Sequence, residues 1–256
     1  MLSVLIVHYN TVSLLQRCLT ALFSETQGIS FEVIVIDNAS PDPKIRDLPD
    51  VFPAVAFHFN RQNTGFAQAC NQAIAVSKGR YLLLLNPDTV VPEEGLGKLV
   101  TFMEAHADAG ACGPRLVYPD GRLQLSCRRF PTLRALMLRI TRLDRLAGGP
   151  VRKYLMEDWD HQNLQEVDWV IGACMMLRRG ALEDVGLLDG GFFMYYEDID
   201  LCYRLWKQGW KVYYNPGVTV LHNHQRGSAS LLPNRLSYIH ARSLARLFRK
   251  HRLAWF

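Results

Sequence analysis

Short apolar runs alternate with stretches of helical period through the first part of the chain. Ser3–His8 reads as a strand. A helix opens at Ser13, with Gln16 three residues on as a capping box. Leu14, Leu15, Cys18, Leu19 and Leu22 form its 3.6-residue apolar stripe. Phe31–Ile36 predicts a second strand, stopped by Asp37-Asn38-Ala39-Ser40-Pro41, and Val55–Phe59 a third. Thr64–Ser77 predicts a helix of mostly small residues. Tyr81–Leu85 is a fourth strand, too apolar to have a wet face, so it belongs at the centre of its sheet. Glu93–His106 predicts another helix. This alternation is that of an α/β chain with a mostly parallel sheet and helices on both faces.

The pattern changes near residue 111. Ala111–Tyr118 and Arg122–Arg128 flank Pro119-Asp120-Gly121, a hairpin turn. Leu133–Leu146 is a basic helix whose Arg134, Arg139, Arg142 and Arg145 form a solvated face or a contact for an anionic acceptor. Gly148-Gly149-Pro150 marks a loop. Val167–Leu177 returns to strand character, Glu197–Gln208 to helix, and Val212–Tyr214 and Val218–Leu221 to short strands. A last helix starts near Asn234. Arg235, Arg242, Arg246 and Arg249 fall on one stripe of it, Leu236, Leu244, Leu247 and Phe248 on another, with Trp255 and Phe256 extending the apolar side. Such a helix lies on a membrane surface or packs its apolar stripe on the domain. No repeat, low-complexity segment or clear linker is present.

The chain has 256 residues, 49% hydrophobic and 21% charged, as in an ordinary globular protein. No apolar run is long enough for a membrane span. The start reads as a first strand, not a signal peptide. Six scattered cysteines without a Cys-x-x-Cys give no zinc or redox signature and suit a reduced, cytoplasmic setting. Charge is unevenly spread. Residues 201–256 hold ten Lys or Arg and no Asp or Glu, while residues 1–200 hold nineteen bases against twenty-four acids. An anionic partner at the C-terminal end, or simple solubility, accounts for this.

Candidate chemistry gathers where strands end. Asp37-Asn38-Ala39-Ser40 closes the second strand, where open α/β sheets bind ligands; an Asx-turn is the plainer account. Asn63-Thr64-Gly65-Phe66 opens a helix, and glycine there admits a phosphate or base close to backbone N–H groups; Asn63 reads equally as a cap. Asn71 lies farther along that helix. Asn86-Pro87-Asp88 ends the fourth strand, and one such carboxylate holds Mg²⁺ if a diphosphate supplies the rest; a turn with a helix cap is the alternative. His222 and His224 follow a strand, and imidazole beside carboxylate tilts a site toward Mn²⁺. Arg226 and Ser228 share that loop and offer phosphate contacts. Phe192-Phe193-Met194-Tyr195-Tyr196 leads directly into Glu197-Asp198-Ile199-Asp200. Acids at a helix start suit the helix dipole, but three exceed what capping needs, and carboxylates beside an apolar wall suit general-base work. No Gly-x-Gly-x-x-Gly and no Gly-Lys-Ser/Thr occurs, which argues against dinucleotide and P-loop chemistry.

Asp37-Asn38-Ala39-Ser40, Asn63-Thr64-Gly65-Phe66, Asn86-Pro87-Asp88, the block from Phe193 to Arg204 and His222 together resemble glycosyltransferase family 2, over about residues 1–230. Bacterial rhamnosyltransferases of cell-surface polysaccharide assembly are the nearest in pattern. The resemblance implies an A-type glycosyltransferase (GT-A) fold, a Rossmann-like sheet flanked by helices and merged with a smaller acceptor-binding half. It implies a catalytic domain over 1–230, with 1–110 for nucleotide and 111–230 for acceptor, followed by a basic amphipathic helix over 231–256. Asp37 would recognise the pyrimidine base, Asp88 would end the metal motif, and Asp198 would be the base, with Glu197 and Asp200 assisting. The expected nucleotide-sugar contacts are Tyr9, Asn10, Asp37, Asn38, Ser40, Asn63, Gly65, Phe66, Asn71, Asn86 and Asp88. Trp169, Gly172, Tyr195, Tyr196 and Arg204 are the expected acceptor contacts, and Asp88 with His222 the ligands of Mg²⁺ or Mn²⁺. Two departures stand out: Asn86 replaces the first acid of the metal motif, and Gly190-Gly191 replaces bulkier or acidic residues.

The activity so implied is inverting transfer from a nucleotide-diphosphate sugar, dTDP-rhamnose by preference, to a saccharide or lipid-linked saccharide at the cytoplasmic face of a membrane. A non-catalytic glycan-binding module would not need the Glu-Asp-x-Asp block. A sugar nucleotidyltransferase would carry a Gly-rich basic loop where His8-Tyr9-Asn10-Thr11 stands. No nucleic-acid motif is present.

Overall fold

The computed structural model describes residues 1–26, 28–141, 143, 148–223 and 235–251. His224, Arg226, Ser228, Arg142, Arg145, Trp255 and Phe256 lie outside the described residues. One sheet dominates. Strands β1 (Leu2–His8), β2 (Phe31–Asp37), β3 (Val55–Phe59) and β4 (Tyr81–Leu85) are mutually parallel in the order β3-β2-β1-β4. Helices α1 (Val12–Glu25), α2 (Leu48–Val51) and α3 (Phe66–Val76) fall between them, and α2 follows a 3-10 turn over Pro43–Asp47. Every residue of β4 is buried, as its unbroken apolar run requires of a central strand.

Strand β5 (Thr89–Val90), helix α4 (Gly95–Ala105) and strand β6 (Ala109–Val117) follow, and β6 folds back on β7 (Leu123–Gln124) around the expected Pro119-Asp120-Gly121 turn. Strand β8 (Cys127–Arg128) leaves the main sheet. Helices α5 (Leu133–Ile140) and α6 (Gly149–Leu155) and strand β9 (Gln165–Glu166) precede β10 (Trp169–Val170), which pairs with β8 in a second, two-stranded sheet. Strand β11 (Cys174–Arg178) lies antiparallel between β4 and β6. It is followed by α7 (Arg179–Val185), α8 (Glu197–Lys207), β12 (Lys211–His222) and α9 (Arg235–His251). Strand β12 runs parallel to β6 and pairs with β5 beyond it. Among the described residues, no helix is long and apolar enough to cross a membrane.

Four expectations are corrected. The capping box at Ser13 is not formed. Thr11 caps α1 through its backbone, because its N–H is tied to His8 Nε2 (3.0 Å) and the helix therefore starts a residue earlier. Gly148-Gly149-Pro150 begins a helix, since a proline in the first turn has no N–H to satisfy. The two short strands near 212 and 218 are one strand with an irregularity between Asn215 and Thr219, where Gly217 N–H bonds the Asn215 side chain. The segment 167–177 is two strands broken at Ile171-Gly172-Ala173.

Helix α9 packs its apolar stripe on the domain. Leu247 is fully buried, and Leu244 packs against the same core. Arg246 and Lys250 pair with Asp189 at 2.9 and 2.8 Å, and Lys250 and His251 with Asp200 at 2.7 and 2.6 Å. A Cβ at Gly191 would collide with the Arg246 guanidinium. The small residue there thus makes room for α9. Arg235, Arg242 and Arg249 remain on the exposed face.

Candidate active site

In this sheet the chain order reverses at β1, which lies between β2 and β4. Crevices form at the carboxyl ends of strands beside such a switch point. His8 ends β1, and its Nδ1 bonds Asp37 Oδ1 at the end of β2 (2.9 Å). Thr11 N–H donates to Nε2, so Nδ1 carries the proton that Asp37 accepts. Ser40 N–H donates to the other Asp37 oxygen (3.2 Å). Burial pushes the Asp37 carboxyl upward, but the hydrogen bonds from His8 and Ser40 outweigh it and hold the acid below its usual range. The Ser40 hydroxyl also accepts from Asn10 N–H (2.8 Å), fixing Asn10 at positive φ beside an exposed Tyr9.

Asn38 is a hub. Its Oδ1 accepts from Asn60 Nδ2, Thr64 N–H and Thr64 Oγ1 at 3.0–3.1 Å, and its Nδ2 donates to Asn63 Oδ1 and the Gly65 carbonyl. It is 2% exposed, and its donors and acceptors hold the β3–α3 loop in shape. Gly65 caps α3 at φ +85°, where a Cβ would also strike the Phe193 carbonyl, and Phe66 N–H bonds that same carbonyl (2.7 Å). The β3–α3 loop and the loop before α8 are thereby locked together. Asn71 is spent on the Leu188 backbone, in both directions.

At the end of β4, Asn86 N–H donates to the Ala173 carbonyl (2.8 Å). One residue earlier, Gly172 N–H donates to Asp198 Oδ2 (3.2 Å). The turn that carries Asp88 and the helix that carries Asp198 thus meet at the same strand break. A methyl placed on Gly172 would lie 3.7 Å from the Phe66 ring and 3.8 Å from Asp198 Cβ, so three distant segments converge there. Asp88 faces His222, with Oδ1 and Nε2 3.3 Å apart. Gln124 Nε2 donates to the His222 carbonyl, which turns Gln124 Oε1 to accept the Nδ1 proton of His222 (2.8 Å) and directs Nε2 at Asp88. A carboxylate oxygen and an imidazole nitrogen are a donor set for Mn²⁺. Among the described residues no group of three or more His, Cys, Asp or Glu gathers to hold a metal. The pair fits a cation whose remaining positions are filled by substrate oxygens.

Asp198 opens α8, and its other oxygen accepts Ile199 N–H (2.9 Å). Burial raises its carboxyl above the usual range, against the opposing pull of the Gly172 and Ile199 N–H groups and of the Arg128 charge. Glu197 is 5% exposed, its Oε2 has no partner among the described residues, and burial with the Asp198 charge pushes it well up. Tyr195 and Tyr196 precede them, both at φ 70°, a conformation of order 1 kcal/mol or more in cost per residue for a side chain without special freedom. The Ser243 hydroxyl donates to the Met194 carbonyl (2.8 Å), and His240 lies against both tyrosines, so α9 braces this turn.

Three expected site residues are placed elsewhere. Trp169 is 3% exposed and gives its indole N–H to the Arg129 carbonyl, because β10 turns the ring into the core. Asp200 is fully buried among Arg204, Lys250 and His251, on the opposite side of α8 from the face that Asp198 presents. Arg204 spends its donors on Asp200 and the carbonyls of Val185, Gly186 and Leu187. Sequence reading missed His8 and Gln124, each of which orients a carboxylate or imidazole named from the motifs. Their signal was a polar residue ending a strand, His8 one strand over from Asp37 and Gln124 two strands over from His222, across β6.

The family model described as glycosyl transferase family 2 matches residues 3–186. An N-acetylglucosaminyl-diphospho-decaprenol L-rhamnosyltransferase of Mycobacterium tuberculosis is 29% identical over 87% of this chain and 76% of its own. The rhamnosyltransferase WbbL of Escherichia coli is 27% identical over 74% of this chain and 72% of its own. Among solved structures, GalNAc-T7 with UDP, GalNAc and Mn²⁺ superposes with a TM-score of 0.72 at 17% identity over the whole chain, and Pyrobaculum calidifontis mannosyltransferase PcManGT with GDP-Man and Mn²⁺ with 0.59 at 18% over 88% of it. The chain spans 49% and 58% of the lengths of those two. These neighbours are GT-A glycosyltransferases and establish the fold.

Proposed function

The chain belongs to glycosyltransferase family 2, and on that premise we propose that it transfers a sugar from a nucleotide-diphosphate donor to an acceptor hydroxyl with inversion at the anomeric carbon. Rhamnose carried by deoxythymidine diphosphate is the donor suggested by the names of the relatives. A saccharide on a diphospho-lipid is the acceptor class suggested by the mycobacterial relative's name. One observation carries the reading: the bonds Asn86–Ala173 and Gly172–Asp198 bring the Asp88–His222 pair and the Asp198 carboxylate to one strand break.

Asp198 takes the proton of the acceptor hydroxyl as that oxygen attacks the anomeric carbon in line with the departing diphosphate. Gly172 N–H and Ile199 N–H hold the carboxylate in place for this. Phe66 closes the same space with an apolar face, which limits water as a competing nucleophile. His8 and Ser40 hold Asp37 ionised, ready to accept from a base N–H. Asp88 and His222 would hold Mg²⁺ or Mn²⁺, and such an ion neutralises the charge that collects on a leaving diphosphate. The exposed arginines of α9 face an anionic membrane surface while its leucines stay on the domain.

The decisive measurement is release of nucleotide from a panel of nucleotide sugars, including dTDP-rhamnose, with N-acetylglucosaminyl-diphospho-lipid as acceptor, with and without Mn²⁺. Acceptor-dependent release that needs the cation is expected. No release from any donor in the presence of acceptor would sink the reading.

A further inference from the structure

Arg128 lies in β8, opposite Trp169 of β10. Its guanidinium sits over the Trp169 ring (5.3 Å to the centroid) and near the Tyr154 ring (5.8 Å). Both rings are buried, so the cation rests on a rigid aromatic floor. Other arginines of the interior are each tied down by several side-chain hydrogen bonds. Arg178 bonds the carbonyls of Met103, His106 and Ala109, Arg179 bonds Ser77 and Gly79, and Arg204 bonds Asp200 and three carbonyls. Arg128 makes no hydrogen bond and no ion pair among the described residues, and its Nε is buried without a partner. Its charge reaches Asp198, yet the two side chains form no salt bridge. The same segment holds Gln124, which orients His222, four positions earlier. The Ser126 carbonyl, two residues before Arg128, accepts Ile171 N–H (2.9 Å) next to the Gly172 that holds Asp198, so Arg128 stands beside the strand break.

A half-buried guanidinium whose Nε is buried and unused, set on an aromatic floor, is built for an anion that arrives from outside the protein. We propose that Arg128 is an anion-binding residue of this cleft and that its ligand is a diphosphate, taken through two N–H groups of the guanidinium fork. The proposal rests on the transferase reading for the choice of diphosphate over other anions. Two sources share that chemistry: the donor's nucleoside diphosphate and the diphosphate of a lipid-linked acceptor.

The test compares the full chain with Arg128→Gln and Arg128→Lys. Deoxythymidine diphosphate with Mn²⁺, and inorganic pyrophosphate alone, are titrated calorimetrically. In parallel, KM is measured for N-acetylglucosaminyl-diphospho-lipid and for a neutral octyl N-acetylglucosaminide. A donor source predicts at least a tenfold weaker Kd for the nucleoside diphosphate in Arg128→Gln. An acceptor source predicts at least a tenfold higher KM for the diphospho-lipid and an unchanged KM for the neutral glycoside. Arg128→Lys keeps charge but not the fork, so it should fall between wild type and Arg128→Gln in whichever measurement responds. Equal melting temperatures separate these losses from unfolding, and Arg128→Lys carries the comparison if Arg128→Gln does not fold. Values within twofold of wild type for every ligand overturn the proposal. A wild type that binds no nucleoside diphosphate counts against the transferase reading instead. Pyrophosphate then decides on its own: a tenfold loss in the variant supports the proposal, and none overturns it.

Discussion

Asp198 and Glu197 are chain neighbours with different surroundings, and the difference sets what each variant should do. Asp198 holds two backbone N–H groups and borders Gly172 and Phe66 at the cleft. General-base help is typically worth about 100- to 10,000-fold, so Asp198→Asn should lose that much in kcat while donor Kd, read by calorimetry, stays near wild type. Because burial raises the Asp198 carboxyl, kcat/KM should fall as pH drops through that raised value, since only the ionised form accepts a proton. Glu197 is pushed up by burial and by the Asp198 charge. Its folded form binds a proton that the unfolded chain releases near pH 4.3. The resulting stability is complete below that pH and is lost as pH rises toward the folded value. Glu197→Gln should accordingly flatten the fall in melting temperature between pH 5 and pH 8, and a fall as steep as in wild type would refute the neutral Glu197. Gly65 gives a purely steric case. Alanine there faces both φ +85° and the Phe193 carbonyl, and the backbone part alone is of order 1–3 kcal/mol. Melting should drop by several degrees. At this scale the sequence exposed the acids, because acids beside apolar runs are conspicuous. It hid Asn38 as a hub and His8 as a brace, because those roles arise from strand neighbours far away in the chain.

The parallel strands were readable because each is a short apolar run between turn residues, and β4 declared its central place by having no polar face. Helix α9 was readable as amphipathic but not as to what covers it. Its leucines meet a core assembled from segments far apart in the chain, from Leu5 to Leu205. Its basic residues split in the same way, Arg246 and Lys250 turning inward to Asp189, and Arg235, Arg242 and Arg249 outward. Burial lifts the Asp189 carboxyl, but Lys250 and Arg246 pull it well below the usual carboxylate range. That contribution to docking is present above the unfolded carboxylate value near pH 3.9 and is lost as pH falls below it. Asp189→Asn should therefore loosen α9 at neutral pH. Since α9 braces Met194 and Tyr196, amide exchange should quicken both in α9 and in the turn before α8, with the β4 and β1 amides unchanged. Unaltered exchange in the 190–196 turn would mean that α9 is not what holds the strained tyrosines.

Across the whole molecule the charge asymmetry takes on a location. The ten bases of residues 201–256 are partly paired, with Asp189 and Asp200 and, at the surface, with Glu166, and the exposed remainder on α9 forms one face. An electrostatic contact with anionic lipid is worth about 1 kcal/mol per basic residue at the surface and fades within a Debye length of about 8 Å at physiological salt. Insertion of an apolar wedge would instead be nearly independent of salt. With Leu247 buried and Leu244 on the core, the first behaviour is expected. Vesicles rich in phosphatidylglycerol should sediment the protein at low salt, and raising the salt to about 0.5 M should release it. Replacing Arg235, Arg242 and Arg249 together by glutamine removes three charges that make no ion pair among the described residues, so melting should be unchanged while vesicle binding drops by on the order of a hundredfold. Binding that persists at high salt in the triple variant would show that α9 leaves the domain to insert its leucines, and the docked arrangement of Asp189 and Asp200 would then describe only the unbound protein.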